Sequence, residues 1–286
     1  MSKIIFLGTP NFAIPILEKL INKKFPISSV FTQPAKKSKR GQKYLKSPVH
    51  LFAEKLNLNV RTPVNIKNEE IYLKDQNIDL GIVVAYGQII PENILKICKY
   101  GFINIHASLL PKYRGAAPIQ RSLINLEKFT GISFMKIEKN LDCGPVCNQY
   151  KIKIGKEDNF VSLSNKLSLL GADKVAENVE LILSGNASFI EQAHKSATYA
   201  KKIIKSEGKI NWNENAEKII GKINGLLVNP GAWFEFEKER YKVLVSELSD
   251  LNGKPGQVLN DNLTIGCGIK SIKIIEIQRQ GKKPQK

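Results

Sequence analysis

KIIFLGTPNFAIPILEKLI, residues 3–21, sets the architecture of the first half of the chain. Its opening apolar run ends at Gly8, a proline follows, and apolar residues then recur at helical spacing from Ile14 to Ile21. A short apolar run closed by glycine is typical of a strand, and the later spacing is that of an amphipathic helix. The stretch therefore predicts a strand, a turn and a helix.

The same alternation continues downstream. DLGIVVA, residues 79–85, is a continuous apolar run suited to a strand buried on both faces. Strands alternating with helices predict a mostly parallel sheet with right-handed crossovers, a Rossmann-like α/β domain. Ligands of such sheets bind beyond the carboxyl ends of the strands, so polar residues there are candidate site residues. Further strands are predicted at 27–32 and 101–106, and helices at 47–56 and 67–76.

The second half of the chain changes pattern. Alternating residues at 130–138 and 146–154 predict strands, and 159–184 has the spacing of a long amphipathic helix. Beyond a segment of little periodicity, a helix at 214–224 precedes short strands separated by turn signals, an all-β pattern. We therefore expect a catalytic domain at 1–190, a linker at 191–206 and a smaller C-terminal domain at 207–286.

Composition limits the classes of function. The 44 Lys and Arg against 26 Asp and Glu give a formal net charge of +18, which favours a polyanionic partner, although a solvated basic surface is the alternative. Four cysteines without a CxxC pair, and without histidines at ligand spacing, predict neither a disulfide framework nor a metal site. The N-terminal apolar run is too short for a secretory signal, and no apolar stretch could span a membrane. We expect a cytoplasmic monomer with no membrane contact.

Two polar residues end the predicted strand 101–106. Asn104 and His106 are two positions apart, so on a strand they project to the same face. An amide and an imidazole on one face can donate hydrogen bonds to a single oxygen, as a tetrahedral oxyanion requires during acyl transfer. The pattern is short, and Asn and His at a strand end can also simply cap a loop.

Asp142 is a third candidate. It lies in KNLDCGP, after the apolar strand GISFMKI, where a carboxylate can reach back to the same end of the sheet. A carboxylate beside His106 would orient the imidazole and favour its charged form. Aspartate in a glycine-containing turn is also ordinary turn chemistry, so spacing alone leaves both readings open. The two remaining histidines, His50 and His194, are expected to be structural or solvated.

A resemblance adds to this reading. NIHASLLPKYRGAAPIQ, residues 104–120, resembles the signature of the folate-dependent formyltransferases, and LDCG around Asp142 completes that family's Asn, His and Asp set. FLGTPNFA near the N-terminus, VVAYGQIIP after residue 82 and NPGAWF after residue 228 are similar to other parts of the family pattern. The resemblance covers nearly the whole chain. It implies that the C-terminal domain is an OB-like β-barrel, an architecture that often binds nucleic acid.

The resemblance also implies a reaction. The formyl group of 10-formyltetrahydrofolate would pass to the amino group of methionine on initiator tRNA, because HASLLP followed by YRGAAPIQ is most similar to the members with that acceptor. Asn104 and protonated His106 would stabilise the oxyanion, Asp142 would orient His106, and no metal is required. The folate would bind against two segments, made of Ser108, Leu109, Leu110, Pro111 and of Tyr86, Gly87, Gln88, Ile89, Ile90.

A basic segment follows the predicted strand 27–32. Residues 36–46, KKSKRGQKYLK, contain six basic side chains and no acidic one. Such runs are usually solvated, but this one follows a strand end on the side where the site is expected, and the resemblance aligns it with a loop that grips the tRNA acceptor stem. The residues predicted to contact tRNA are Lys36, Lys37, Lys39, Arg40, Lys43 and Lys46.

Three other functions fit the sequence less well. The same chemistry on a small acceptor, such as glycinamide ribonucleotide, would not need the second domain or the charge. A non-enzymatic nucleic-acid-binding protein would not need Asn104, His106 and Asp142 together. A nucleotide-dependent oxidoreductase is disfavoured because FLGTPNFA lacks the GxGxxG pattern.

Overall fold

The computed structural model of the chain describes residues 2–37 and 44–286. The strands are β1 (Ile4–Gly8), β2 (Ile27–Phe31), β3 (Lys36–Lys37), β4 (Tyr44–Leu45), β5 (Val60–Arg61), β6 (Leu80–Val84), β7 (Phe102–His106), β8 (Phe129–Lys136), β9 (Val146–Lys153), β10 (Ala232–Phe236), β11 (Glu239–Ser249), β12 (Val258–Asn260), β13 (Thr264–Gly266) and β14 (Ser271–Arg279). The α-helices are α1 (Ile14–Asn22), α2 (Pro48–Lys55), α3 (Glu70–Asp75), α4 (Glu92–Leu95), α5 (Pro118–Ile124), α6 (Phe160–Leu183) and α7 (Ala216–Leu226).

Seven strands form the first sheet, in the order β5-β2-β1-β6-β7-β8-β9. The strands from β5 to β7 run parallel, whereas β8 runs antiparallel to β7. All residues of the central strands β1 and β6 are buried, because helices cover both faces of a sheet built from βαβ units. The predicted mostly parallel α/β sheet is confirmed, and the reversal at β8 is a feature that the sequence pattern did not reveal.

The parallel order brings the carboxyl ends of β2, β1, β6 and β7 to one edge of the sheet. The segments that follow these strands contain the described residues of the basic segment (36–37 and 44–46), the turn after β6 and the loop after β7. These are three of the segments in which the sequence predicted site residues. The sheet topology therefore places them along a common edge, as expected for ligand sites of α/β sheets.

Five antiparallel strands form the second sheet, in the order β10-β11-β14-β13-β12. Helix α7 packs on it through Ile219 and Ile223, which share a buried core with Val243 and Ile272. The predicted C-terminal β-domain is confirmed as this five-stranded antiparallel sheet, the strand number of an OB fold.

The chain divides into two compact units whose segments alternate along the sequence. One contains Met1–Arg114, Gly131–Lys151 and Asn165–Thr198, and the other contains Gly115–Thr130, Ile152–Ser164 and Tyr199–Lys286. In the second unit α5 packs against α7, where Gly221 and Gly225 have no room for a Cβ next to the α5 backbone. Helix α5 lies inside the stretch that carries the family resemblance and was not predicted. Within 2–37 and 44–286, no helix is both long enough and apolar enough to cross a membrane.

Candidate active site

Asn104 and His106 occupy the carboxyl-terminal half of β7. The strand register pairs Asn104 with Met135 and His106 with Ser133 of β8. Because their positions differ by two, both side chains project to one face of the sheet. His106 is buried and Asn104 is half-buried.

Asp142 comes to these two side chains from the loop 137–145. Since β8 is antiparallel to β7, this loop starts level with the beginning of β7 and returns along it. Asn104 Nδ2 donates to Asp142 Oδ1 at 3.3 Å, and His106 Nδ1 lies 3.6 Å from Asp142 Oδ2. Asp142 has a φ of 48°, in the left-handed region that aspartate and asparagine tolerate better than most residues. The structure thus brings the three predicted side chains together.

The second ring nitrogen of His106 has a different partner. Nε2 lies 2.9 Å from the backbone carbonyl oxygen of Tyr113. A carbonyl oxygen can only accept, so Nε2 carries a proton in this arrangement. Nδ1 faces the Asp142 carboxylate at ion-pair distance, so a proton placed on Nδ1 would be stabilised by that negative charge. Tyr113, at a φ of 61°, is a site residue that the sequence analysis missed.

A buried arginine and glutamine support the Asp142 loop. Arg114, 3% exposed, donates from Nε and Nη2 to Gln192 Oε1 at 3.0 and 2.7 Å. Gln192 Nε2 in turn donates to the backbone carbonyls of Asp142 and Gly144 at 3.0 and 2.7 Å. Gln192 lies in the segment predicted to be a linker, and no sequence pattern marked it. His194 Nδ1 accepts from Arg114 Nη2 at 3.0 Å, so this histidine is closer to the site than expected.

Hydrogen bonds from side chains of β8 and β9 hold the loop that follows β7. Ser133 Oγ donates to the carbonyl of Ser108 at 2.6 Å and accepts from the amide of Leu110 at 3.1 Å. Gln149 Nε2 donates to the carbonyl of Leu110 at 2.7 Å, and Ser108 Oγ donates to the carbonyl of Lys112. Polar groups of the loop are therefore bonded within the protein, while Leu109 and Pro111 are half-buried at its surface.

The turn after β6 holds the other residues predicted to contact folate. Tyr86 and Ile90 point into the hydrophobic core, and burial raises the pKa of the Tyr86 hydroxyl above its usual range. Gln88 uses its amide to bond the segment before α3, through the Pro63 carbonyl and the Ile66 amide, both at 2.8 Å.

Gly87 and Ile89 form the exposed part of this turn. Gly87 has a φ of 84°, and the Ile89 side chain is 89% exposed. Tyr86 and Ile90 are thus core residues and Ile89 is exposed, and the folate contacts that the resemblance implies for 86–90 stay a prediction. Ile89 and Gly87 are the members of this set that can meet a ligand from solvent.

The described part of the basic segment is a two-stranded hairpin. Lys36 pairs with Leu45 and Lys37 with Tyr44, and both lysines are exposed. Lys46 is bonded to Glu54 at 2.6 and 2.8 Å, so part of its charge is already neutralised within the protein. The remaining predicted contacts lie outside the described residues: Lys39, Arg40 and Lys43.

The other ionisable groups with metal-binding chemistry are dispersed. His50 lies in α2 and contacts Glu54 at 3.0 Å, as a structural histidine would. Burial raises the pKa of Cys98 to about 12 and that of Cys267 to about 11. Among the residues that the structure describes, no three His, Cys, Asp or Glu side chains come together as metal ligands.

An amide N–H, an imidazole and a carboxylate converge at one face of β7. Such a set can donate hydrogen bonds to an oxygen that becomes negative and can accept a proton from an attacking amine, the requirements of acyl-type transfer. The chain belongs to the formyl transferase family. The formyl transferase model matches residues 2–179, and the model of the formyl transferase C-terminal domain matches residues 202–286.

Within this family, the chain is similar to methionyl-tRNA formyltransferases. The chain is 60% identical to the methionyl-tRNA formyltransferase of Pelagibacter ubique, over 99% of this chain and 93% of that protein. It is 41% identical to the methionyl-tRNA formyltransferase of Agrobacterium fabrum, over 99% of this chain and 93% of that protein.

Solved structures share the fold. An N-formyltransferase from Helicobacter canadensis, solved with folinic acid and dTDP-3-aminofucose, matches with a TM-score of 0.73 at 21% identity, over 96% of this chain and 99% of that one. Methionyl-tRNA formyltransferase from Clostridium thermocellum matches with a TM-score of 0.61 at 17% identity, over 87% and 94%. At these identities the likeness concerns the fold.

Proposed function

We propose that this chain is a methionyl-tRNA formyltransferase: it transfers the formyl group of 10-formyltetrahydrofolate to the amino group of methionine on initiator tRNA. The observation that carries the proposal is the 60% identity to a methionyl-tRNA formyltransferase along 99% of the chain. The convergence of Asn104, His106 and Asp142 supplies the chemistry. The proposed product is N-formylmethionyl-tRNA for translation initiation, made in the cytoplasm by a monomer.

The proposed reaction is a simple acyl transfer. The methionyl nitrogen attacks the formyl carbon, a C–N bond forms, and the carbonyl oxygen becomes negative. Asn104 Nδ2 and protonated His106 Nδ1 donate to this oxyanion, since Nε2 of His106 is already bonded to Tyr113. The bond from carbon to N10 of the folate then breaks. The attacking nitrogen loses a proton, Asp142 or a water relays it, and N10 gains one.

Apolar surface on the loop that follows His106 suits the folate. The polar backbone groups of Ser108 and Leu110 are bonded inside the protein, so the loop offers Leu109 and Pro111 as apolar contacts for the pterin. The exposed Ile89 can add a contact from the turn after β6. The donor is a co-substrate, and the proposed step needs no metal.

The basic segment is proposed to hold the tRNA. Lys36 and Lys37 are exposed on the hairpin that follows β2, on the edge of the sheet shared with the loop after β7. Lysines contact phosphates without reading sequence, so they would fix the position of the acceptor arm. Arg40, which the family resemblance singles out, is proposed to contact the acceptor end.

An acceptor competition tests the proposal. Purified protein is given 10-formyltetrahydrofolate with methionine-charged initiator tRNA and glycinamide ribonucleotide together, and formylation of each is measured. We expect formyl-methionine on the tRNA alone. His106→Ala should reduce the rate by about 100-fold or more, as loss of an oxyanion donor does, whereas His50→Ala, a histidine of α2, should leave it unchanged. Formylated glycinamide ribonucleotide as the main product would refute the proposed acceptor.

A further inference from the structure

We infer that Gln192 is a positioning residue that sets the distance between Asp142 and His106 for formyl transfer. The inference rests on the proposed function, since it concerns the same site. Gln192 is proposed to touch neither substrate. It acts on the backbone of the loop that carries the carboxylate.

The contacts of Gln192 fix its amide in one orientation. Its Oε1 receives two N–H groups from Arg114, which can only donate. Its Nε2 donates to two carbonyl oxygens, those of Asp142 and Gly144, which can only accept. The side chain is 6% exposed. Glutamine can accept at Oε1 and donate from Nε2 at the same time. A glutamate has the same shape but would place a carboxylate oxygen against the two carbonyl oxygens.

These contacts complete a ring through the active site. From His106 Nε2 the path runs to the Tyr113 carbonyl, along the chain to Arg114, across to Gln192 and on to the Asp142 backbone. The Asp142 carboxylate then returns to His106 Nδ1 at 3.6 Å. Both nitrogens of the imidazole are therefore connected to Gln192, Nε2 through hydrogen bonds and the chain from Tyr113 to Arg114, and Nδ1 through the Asp142 carboxylate and backbone.

The ring matters because Asp142 has an uncommon backbone conformation. A φ of 48° is sparsely populated by non-glycine residues and persists where surrounding contacts hold it. Gln192 bonds the carbonyl of Asp142 itself and that of Gly144, two positions on. Loss of these two bonds frees the loop to relax, and displacement of a catalytic group by about 1 Å can cost about 100-fold in rate.

Gln192→Glu is the direct test, since it keeps the shape and the acceptor for Arg114 and removes the donors to the loop. We expect kcat for formyl transfer to fall about 10- to 100-fold, with KM for folate and for tRNA within about twofold of wild type. Asn178→Asp is the matched control. Asn178 is a fully buried amide of the same unit with three hydrogen bonds, to β9 and α6, and its variant should lower thermal stability while keeping kcat.

A double-mutant cycle separates positioning from a general structural role. If Gln192 acts through the carboxylate, Gln192→Glu should have no further effect on kcat in an Asp142→Asn background. Arg114→Lys, which keeps the charge but loses the two-pronged donation to Gln192, should show a smaller loss that also disappears in that background.

Three results would overturn the inference: wild-type kcat in Gln192→Glu, effects that multiply with those of Asp142→Asn, or an equal kcat loss in Asn178→Asp. If Gln192→Glu does not fold, the Arg114→Lys cycle decides by the same criteria. A wild-type protein that forms no formyl-methionyl-tRNA refutes the proposed function itself, and this result is visible before any variant is compared.

Discussion

Neutralising Asp142 isolates the electrostatic part of the proposed mechanism. Asp142→Asn keeps the size, keeps an acceptor for Asn104 and suits the left-handed backbone at this position. What it removes is the charge 3.6 Å from His106 Nδ1. At an effective dielectric constant of about 20, two unit charges at that distance interact by about 4–5 kcal/mol.

That energy sets the scale of the expected effect. If all of it stabilised the charged imidazole in the transition state, its loss would slow the reaction by about 1,000- to 5,000-fold. Asn retains a dipole beside the ring, so we expect a loss of about 100- to 1,000-fold. His106 and Asp142 are both shielded, with side chains 6% and 15% exposed, so solvent screens the interaction little.

Single-turnover formylation of charged initiator tRNA is the appropriate assay, because it reports the chemical step without product release. Saturating enzyme and folate are mixed with tRNA, and formyl-methionine is measured over time for wild type, Asp142→Asn and Asp173→Asn. The last variant removes an exposed carboxylate that pairs with Lys174 in α6, and should react at the wild-type rate. A rate for Asp142→Asn within about fivefold of wild type would refute the electrostatic reasoning.

Three further changes have expected outcomes. Gly131→Ala places a Cβ against a backbone carbonyl of β9, so we expect about 2–3 kcal/mol of destabilisation by urea unfolding, and an unchanged midpoint would contradict the packing. The double variant Lys36→Ala, Lys37→Ala should reduce the slope of log K against log salt concentration for tRNA binding by about 1.5. An unchanged slope would show that the hairpin does not contact the tRNA. Hydrogen bonds from Arg121 hold the pKa of Glu207 below its usual range. The stabilisation that they give the folded state is therefore complete at pH values above the ordinary carboxyl pKa, and it is lost as pH falls through the lowered value. Glu207→Gln should therefore cost about 1 kcal/mol at pH 7, and variant and wild type should converge as pH falls through the lowered carboxyl pKa; a constant difference across pH would refute this.

Local patterns were sufficient to predict most elements of the fold. The runs that became β1 and β6 are apolar over their full length because both faces of a central parallel strand are buried, and that signal is contained in five consecutive residues. The direction of β8 was not predictable in this way. The predicted alternation of this strand is wrong, since β8 is buried at six consecutive positions, 130–135, much as a parallel strand of the same sheet is, so its own residues do not reveal its direction.

The candidate site likewise contains some residues that the sequence predicted and others that it did not. Asn104 and His106 could be proposed because a spacing of two on a strand fixes a shared face. The supports of the site are less visible: Arg114 lies inside the 104–120 motif, but nothing in the sequence pairs it with Gln192, 78 positions away. The Tyr113 contact is made by a backbone carbonyl, which every residue has, so no side-chain pattern can mark it.

This asymmetry has a physical origin in what each group must do. A group that meets the reacting atoms needs particular chemistry, so its residue type is restricted and its motif is short and recognisable. A group that holds another in place needs only a donor or acceptor at the right point in space, which many chain segments can supply. The ring from His106 through Tyr113, Arg114 and Gln192 to Asp142 therefore becomes visible only when distances are measured, and it predicts that kcat depends on buried residues that touch no substrate.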